Sequence, residues 1–122
     1  MYSVGIDSIE IARIAESIKN EKFIKKVYGG SELREISLRG LHPRSFAVSF
    51  AAKEAFSKAI GTGIVGFSLN EVELLHNEFG APYLFLSGKA KVIAEDKGFI
   101  FSTSVTHTES VATVIVLAYQ EK

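Results

Sequence analysis

Three ionisable side chains stand where an ordinary globular chain has little use for them. Asp7 ends a strand-like run, Glu54 sits in the middle of an apolar helix, and His107 lies where a strand turns a corner. Carboxylates are almost never fully buried without a partner, because desolvating the charge is costly. Glu54 therefore requires a neutralising group. Two carboxylates in a chain with no cysteine and few histidines suit a hard, oxygen-preferring cation such as Mg²⁺. That ion takes one or two protein carboxylates and fills its octahedron with water and substrate phosphate oxygens. Lys53 and Lys58 on the same helix, with His107, would add an anion site suited to a pyrophosphate. Each residue also has a structural alternative. Asp7 and Glu10 form a D-x-x-E start signal in which Asp7 would cap a helix. Glu54 and Lys58 form an i,i+4 pair. Both lysines could be snorkelling side chains, and His107 a hydrogen-bonded turn residue.

The helix that carries Glu54 organises the rest. Pro43 presets its first turn, Gly61 is a natural stop just past its end, and no breaker lies between. Its apolar side chains, from Phe46 to Ile60, leave no fully polar face, which predicts a buried helix. Ahead of it, Tyr2 to Ile6 reads as a short strand, followed by a helix from Asp7 with Ile11, Ile14, Ala15 and Ile18 at helical spacing. A second helix is expected from Glu21 to Tyr28, and a third from Ser31 to near Gly40. Gly61 to Gly66 follows the central helix rather than preceding one, so it reads as a cap and turn, not a phosphate loop.

The second half is mostly strand. Phe67 to His76 alternates in part, and Asn77 to Pro82 turns back into Tyr83 to Leu86 as a hairpin. Ser87 is expected to cap a helix that Gly98 closes. Phe99 to Thr106 alternates, with Phe99, Phe101 and Val105 on one face. Val111 to Tyr119 is an almost unbroken apolar run, which predicts a strand buried on both faces. Helices early and hairpins late predict an α+β fold, an antiparallel sheet packed around a long buried central helix, in a single domain over residues 1–122.

Composition sets outer limits. With 122 residues, 47% of them hydrophobic, the chain is a globular domain and not a disordered one. The net charge is zero, so nothing implies a bulk attraction to nucleic acid or to an anionic membrane. The first sixty residues carry ten Lys/Arg against seven Asp/Glu, the remainder four against seven. Lys19, Lys22, Lys25 and Lys26 cluster in that basic half, as a solvated face or a dock for an acidic partner. No signal peptide or spanning segment is legible, so a cytoplasmic protein is expected.

The run F-A-A-K-E-A-F-S-K-A-I-G-T-G, Phe50 to Gly63, resembles the signature of the holo-[acyl-carrier-protein] synthases, small bacterial 4′-phosphopantetheinyl transferases. Gly5-x-Asp7 followed by Arg13, Asn77-x-x-Gly80-x-Pro82, and S-V-T-H from Ser104 to His107 complete the likeness, in the family's order and over essentially the whole chain. The resemblance implies the 4′-phosphopantetheinyl transferase fold. It also implies Mg²⁺-dependent transfer of 4′-phosphopantetheine from coenzyme A to a serine of apo-acyl carrier protein, releasing adenosine 3′,5′-bisphosphate, in fatty acid biosynthesis. Asp7 and Glu54 then match the family's Mg²⁺ ligands and catalytic pair. Lys53, Lys58, Gly61, Pro82 and His107 match positions near coenzyme A. Arg13, with Lys22 and Lys26, matches the carrier-protein surface. A homotrimer with sites between subunits is implied too. One departure is Ser49, where the family often has Arg, so a phosphate contact there falls to Arg44 or another residue. A non-catalytic coenzyme A or nucleotide-binding module, and a purely structural oligomer, are the rival readings.

Overall fold

The structure is a computed structural model that describes residues 1–120. Its axis is helix α4, Pro43–Ile60, with Pro43 in its first turn and Gly61 in the left-handed conformation closing it. Both ends are as the sequence predicts. Before it come strand β1 (Tyr2–Glu10) and helices α1 (Ile11–Ser17), α2 (Glu21–Val27) and α3 (Gly30–Leu38). After it come a 3₁₀ turn (Leu69–Glu71), the hairpin β2 (Val72–His76) and β3 (Pro82–Leu86), helix α5 (Gly88–Lys97), and strands β4 (Phe99–His107) and β5 (Val111–Gln120).

The architecture is α+β with two antiparallel sheets. One has the order β1-β5-β4 and the other is the β2-β3 hairpin. Helix α4 lies on the three-stranded sheet, and the larger core forms there. Ala47, Ala51, Ala52, Ala55 and Ala59 of the helix meet Ala112, Val114, Val116 and Ala118 of β5. Small residues on both surfaces let backbones come close. A second cluster, Phe56, Ile60, Phe67, Val72 and Ala90, joins the far end of α4 to the hairpin and α5.

Close approach is tightest at Gly5. A Cβ there would stand 1.9 Å from the Ala55 carbonyl oxygen and 2.6 Å from the Ala59 nitrogen. Only glycine lets β1 lie against α4 at this point. Alternation then decides what else faces the helix: Ser3, Gly5, Asp7 and Ile9 point inward, and Ser3 Oγ donates to the Ala59 carbonyl at 2.6 Å. The outward set is Tyr2, Val4 and Ile6, exposed at 77%, 57% and 55%. Across the register they adjoin Tyr119, Leu117 and Ile115 of β5, with Tyr2 and Tyr119 stacked at 6.4 Å between centroids. The uncovered face of this sheet therefore carries an apolar strip on β1 and β5, bordered by Ser102, Ser104 and Thr106 of β4.

Several expectations are corrected. Strand β1 runs to Glu10, not Ile6, because every residue from Tyr2 to Glu10 has a partner on β5. Asp7 consequently lies within a strand, opposite Val114, and caps no helix. The first helix begins at Ile11, whose N–H donates to the Ser110 carbonyl at 2.8 Å. Strand β5 is central and bonded along both edges, yet only one face is buried, since α4 covers one side alone. The stretch expected as a strand from Phe67 opens with a 3₁₀ turn and becomes extended only at Val72.

Ser87 occupies the N-cap of α5 but makes no side-chain cap bond. Glu71 does that work from outside the helix, accepting from Lys89 N–H at 3.1 Å and from Ser68 N–H at 3.0 Å. These backbone donors hold its carboxyl below the usual glutamate range. A depressed carboxylate adds stability above its unfolded pKa and loses it as pH falls through the folded one. The melting temperature of Glu71→Ala should therefore fall below wild type at pH 7, by a few degrees. The gap should narrow as pH drops through about 4 and below, measured by circular dichroism melts across pH.

Candidate active site

The approach at Gly5 has a direct chemical consequence two residues on. Asp7, on the same face of β1, is delivered to the flank of α4 near Lys58. The Lys58 ammonium donates to the Ile6 carbonyl at 2.9 Å and to Asp7 Oδ1 at 3.3 Å. It does so instead of closing an i,i+4 pair with Glu54, so that structural alternative is not realised. Ser57 Oγ donates to the Glu54 carbonyl at 2.6 Å, within the same turn.

Glu54 is only partly buried, a correction to its expected place inside the core. Its carboxyl is nevertheless raised above the usual glutamate range. Partial burial is the largest cause and the Asp7 charge the second, opposed by Lys58 and Arg13. Two carboxylates crowd each other beside an ammonium and a guanidinium. The two carboxylates still repel each other despite those cations, and a pair with oxygen donors alone fits a small hard divalent cation. Among the described residues no group of three or more His, Asp or Glu side chains forms a metal cage. A pair is sufficient for an ion that draws its remaining ligands from water and substrate.

The fully buried charge on α4 is Lys53, at 0% exposure. Sequence reading set it beside Lys58 at the anion. The structure turns it inward, where its ammonium meets Glu32 Oε1 and donates to the Val72 carbonyl at 2.5 Å. Glu32 also accepts from Gly29 N–H at 2.9 Å and Leu74 N–H at 2.9 Å, while Glu73 accepts from Glu32 N–H at 3.0 Å. The Tyr28 ring lies 5.5 Å from the ammonium, and its hydroxyl donates to the Phe46 carbonyl at 2.8 Å. Burial pushes Lys53 down and Glu32 up, each resisted by its partner. Burial, then the Glu32 charge, raises Tyr28. This network bolts α4 to α3 and β2. No surface remains on Lys53 for a ligand.

His107, at the end of β4, lines a different place. It borders a cavity of about 190 Å³ with Glu35, Arg39, Arg44, Ser49 and His76, and a second, more open groove with His42 and Arg44. Pro82 pairs across the hairpin with His76, which lines the first cavity. Gly61 is exposed at the opposite end of α4. Arg44 and Lys58 are separated by fourteen helical residues, about 21 Å along the axis. One chain thus carries two half-sites, an acidic pair with Lys58 and a basic cavity with His107, that do not converge. Arg13 lines a shallow groove with Glu16, Ser17, Asn20 and Phe23. Lys22 and Lys26 are exposed on α2, Lys26 beside Ile64, Phe67 and Asn70.

Sequence reading missed Glu32, Glu73, Arg39 and His76. A signal for the first did exist: the desolvation argument applied to Glu54 holds equally for a lysine in a helix without a polar face, and it demands a buried carboxylate.

Residues 3–114 match the family described as the 4′-phosphopantetheinyl transferase superfamily. The chain belongs to that family. It is similar to the holo-[acyl-carrier-protein] synthase of Fusobacterium nucleatum subsp. nucleatum, 40% identical over 119 residues that cover 96% of this chain and 98% of that one. Among solved structures it resembles holo-[acyl-carrier-protein] synthase from Neisseria meningitidis, with TM-score 0.89 and 30% identity, covering 97% of this chain and 98% of the other. The Helicobacter pylori holo-[acyl-carrier-protein] synthase in complex with coenzyme A matches at TM-score 0.83 and 29% identity, over 95% and 99% of the two chains. The expected transferase family and fold are thereby met, and the chain is an enzyme of this kind.

A structural Lys53 predicts a stability phenotype. Lys53→Met strands the Glu32 charge and should cost about 3–5 kcal/mol in urea unfolding. Adding Glu32→Gln should restore more than half of the loss. A lysine that served an external phosphate would instead leave stability nearly unchanged.

Proposed function

We propose that this enzyme transfers 4′-phosphopantetheine from coenzyme A to a serine of apo-acyl carrier protein in a Mg²⁺-dependent reaction that releases adenosine 3′,5′-bisphosphate. The observation that carries this reading is the crowding of Asp7 and Glu54 beside Lys58, produced by the close passage of β1 along α4. Asp7 and Glu54 would hold the cation. When bound, it would neutralise charge on the pyrophosphate oxygens, the role of a Lewis acid in phosphoryl transfer.

In the reaction a bond forms between the serine oxygen and the β-phosphorus, and the bond from that phosphorus to the bridging oxygen breaks. The leaving group carries its negative charge away as a phosphate oxygen. Lys58, half exposed beside Asp7, offers a positive charge to that departing oxygen. Glu54, or a water beside it, takes the serine proton as the oxygen attacks. Arg13, Lys22 and Lys26 present cations on α1 and α2 to an acidic carrier protein.

The site is completed between subunits of a homotrimer. Two features support assembly: the apolar strip of Tyr2, Val4, Ile6, Leu117 and Ile115 on the outer face of β1 and β5, and the roughly 21 Å of helix that separates Arg44 from Lys58 in one chain. A neighbouring copy would bring its basic cavity to the acidic pair. No described helix is long and apolar enough to cross a membrane. A cytoplasmic setting would give the enzyme access to coenzyme A and to its carrier protein.

Mass spectrometry of an apo-acyl carrier protein incubated with enzyme, coenzyme A and Mg²⁺ tests the reaction. One phosphopantetheine should be added per carrier serine. Glu54→Gln and Asp7→Asn should each fold normally and lose roughly a hundredfold or more in turnover. Near-normal turnover of Glu54→Gln at saturating Mg²⁺ would contradict the assignment.

A further inference from the structure

The outer edge of β2 has no strand beside it, since β2 pairs with β3 alone in its sheet. Side chains of two helices take the open backbone groups instead, at every second residue. Lys53 of α4 donates to the Val72 carbonyl, Glu32 of α3 accepts from Leu74 N–H at 2.9 Å, and Glu35 accepts from His76 N–H at 3.0 Å. Glu32 is anchored twice more. Gly29 N–H donates to its Oε1 at 2.9 Å, and its own N–H donates to Glu73 Oε1 at 3.0 Å. The Lys53 ammonium thus meets a carboxylate that is itself fixed, both side chains being at 0% exposure.

What the pair controls is rotation. Helix α4 meets the sheet through Ala47, Ala51, Ala55 and Ala59, and Gly5 of β1 lies against it. One-carbon side chains make shallow ridges, which set how close two elements lie better than how they turn against each other. The directional bonds of Lys53 supply the missing restraint. Glu54 stands about a hundred degrees round the helix from Lys53, and Lys58 about a hundred and forty. A carboxylate roughly 6 Å from the axis moves by about 2 Å when its helix turns through about twenty degrees. A misplacement of about 1 Å at a reacting group can cost about a hundredfold in rate.

We propose that Glu32 is a positioning residue for the reaction: by anchoring Lys53 it fixes the rotation of α4 at which Glu54 faces Asp7. This rests on the reading of Asp7 and Glu54 as the ligands of the cation. Glu32 is fully buried, contributes no ligand and acts on Glu54 only through Lys53. A buried ion pair of this kind specifies one arrangement among several rather than adding much net stability.

The test measures metal binding apart from turnover. Mn²⁺ is titrated into the whole enzyme with coenzyme A and no carrier protein, and the free ion is followed by electron paramagnetic resonance. Lys53→Met combined with Glu32→Gln removes both buried charges together. In that variant the Mn²⁺ dissociation constant should rise about tenfold. With carrier protein and Mg²⁺ added, kcat should fall about tenfold or more while KM for the carrier protein stays as in wild type. Glu32→Asp keeps the charge balance and shortens the reach by one methylene. It should weaken Mn²⁺ binding about threefold, and it decides the matter even where the double variant does not fold. Tyr28→Phe loses the hydroxyl bond to Phe46 but keeps the ring beside Lys53, so it should lower the melting temperature and leave Mn²⁺ binding unchanged. Mn²⁺ binding as in wild type by the double variant and by Glu32→Asp would overturn the inference, as would equal weakening by Tyr28→Phe. Wild type with coenzyme A binding no more Mn²⁺ than coenzyme A alone would instead overturn the metal reading beneath it.

Discussion

A strand and a helix touch backbone to backbone at Gly5, and the rest of the molecule is arranged around that contact. Alanines on α4, with Gly5 on β1 and Ala112 and Ala118 on β5, thin the side-chain layer that usually separates a helix from a sheet. The gain is positional. A carboxylate on β1 has a short side chain, so it reaches the helix flank only if its strand runs close. Gly5 sets that distance and the two-residue period of the strand places Asp7 on the correct face. Lys58 and Glu54, one turn apart on α4, supply the other side of the pocket.

The buried Lys53–Glu32 pair has a different role. Buried ion pairs are weak contributors to net stability, because desolvation offsets most of the attraction. What this pair does give is direction. Its hydrogen bonds reach Gly29, Val72 and Leu74, so α3, α4 and β2 are locked in one relative rotation. Glu54 follows Lys53 in sequence, about a hundred degrees round the helix. Fixing one inward therefore aims the other outward toward Asp7. The motif K-E-A holds two charges with opposite tasks, one structural and one turned to the surface.

Much of this was legible in the sequence. Pro43 and Gly61 mark both ends of α4, Asn77 and Gly80 mark the hairpin turn, and alternation in Phe99 to Val105 gives the inward face of β4. Other features were not. A D-x-x-E pattern resembles a helix start, but nine paired residues on β5 outweigh one capping bond, and Asp7 stays in a strand. An apolar run such as Val111 to Tyr119 cannot distinguish a strand sandwiched between layers from one whose outer face is bare, since both are written with the same residues. The acidic partner of Lys53 and the Glu35–His76 contact depend on how α3 docks against the hairpin, which no local pattern encodes.

We propose that the passage of β1 along α4 places Asp7 and Glu54 to share one cation. Anomalous diffraction from crystals grown with Mn²⁺ and coenzyme A measures this most directly. We expect one manganese peak within coordination distance of an oxygen of both Asp7 and Glu54, and of a pyrophosphate oxygen. A fully occupied peak elsewhere, with the two carboxylates turned apart, would rule out a shared cation.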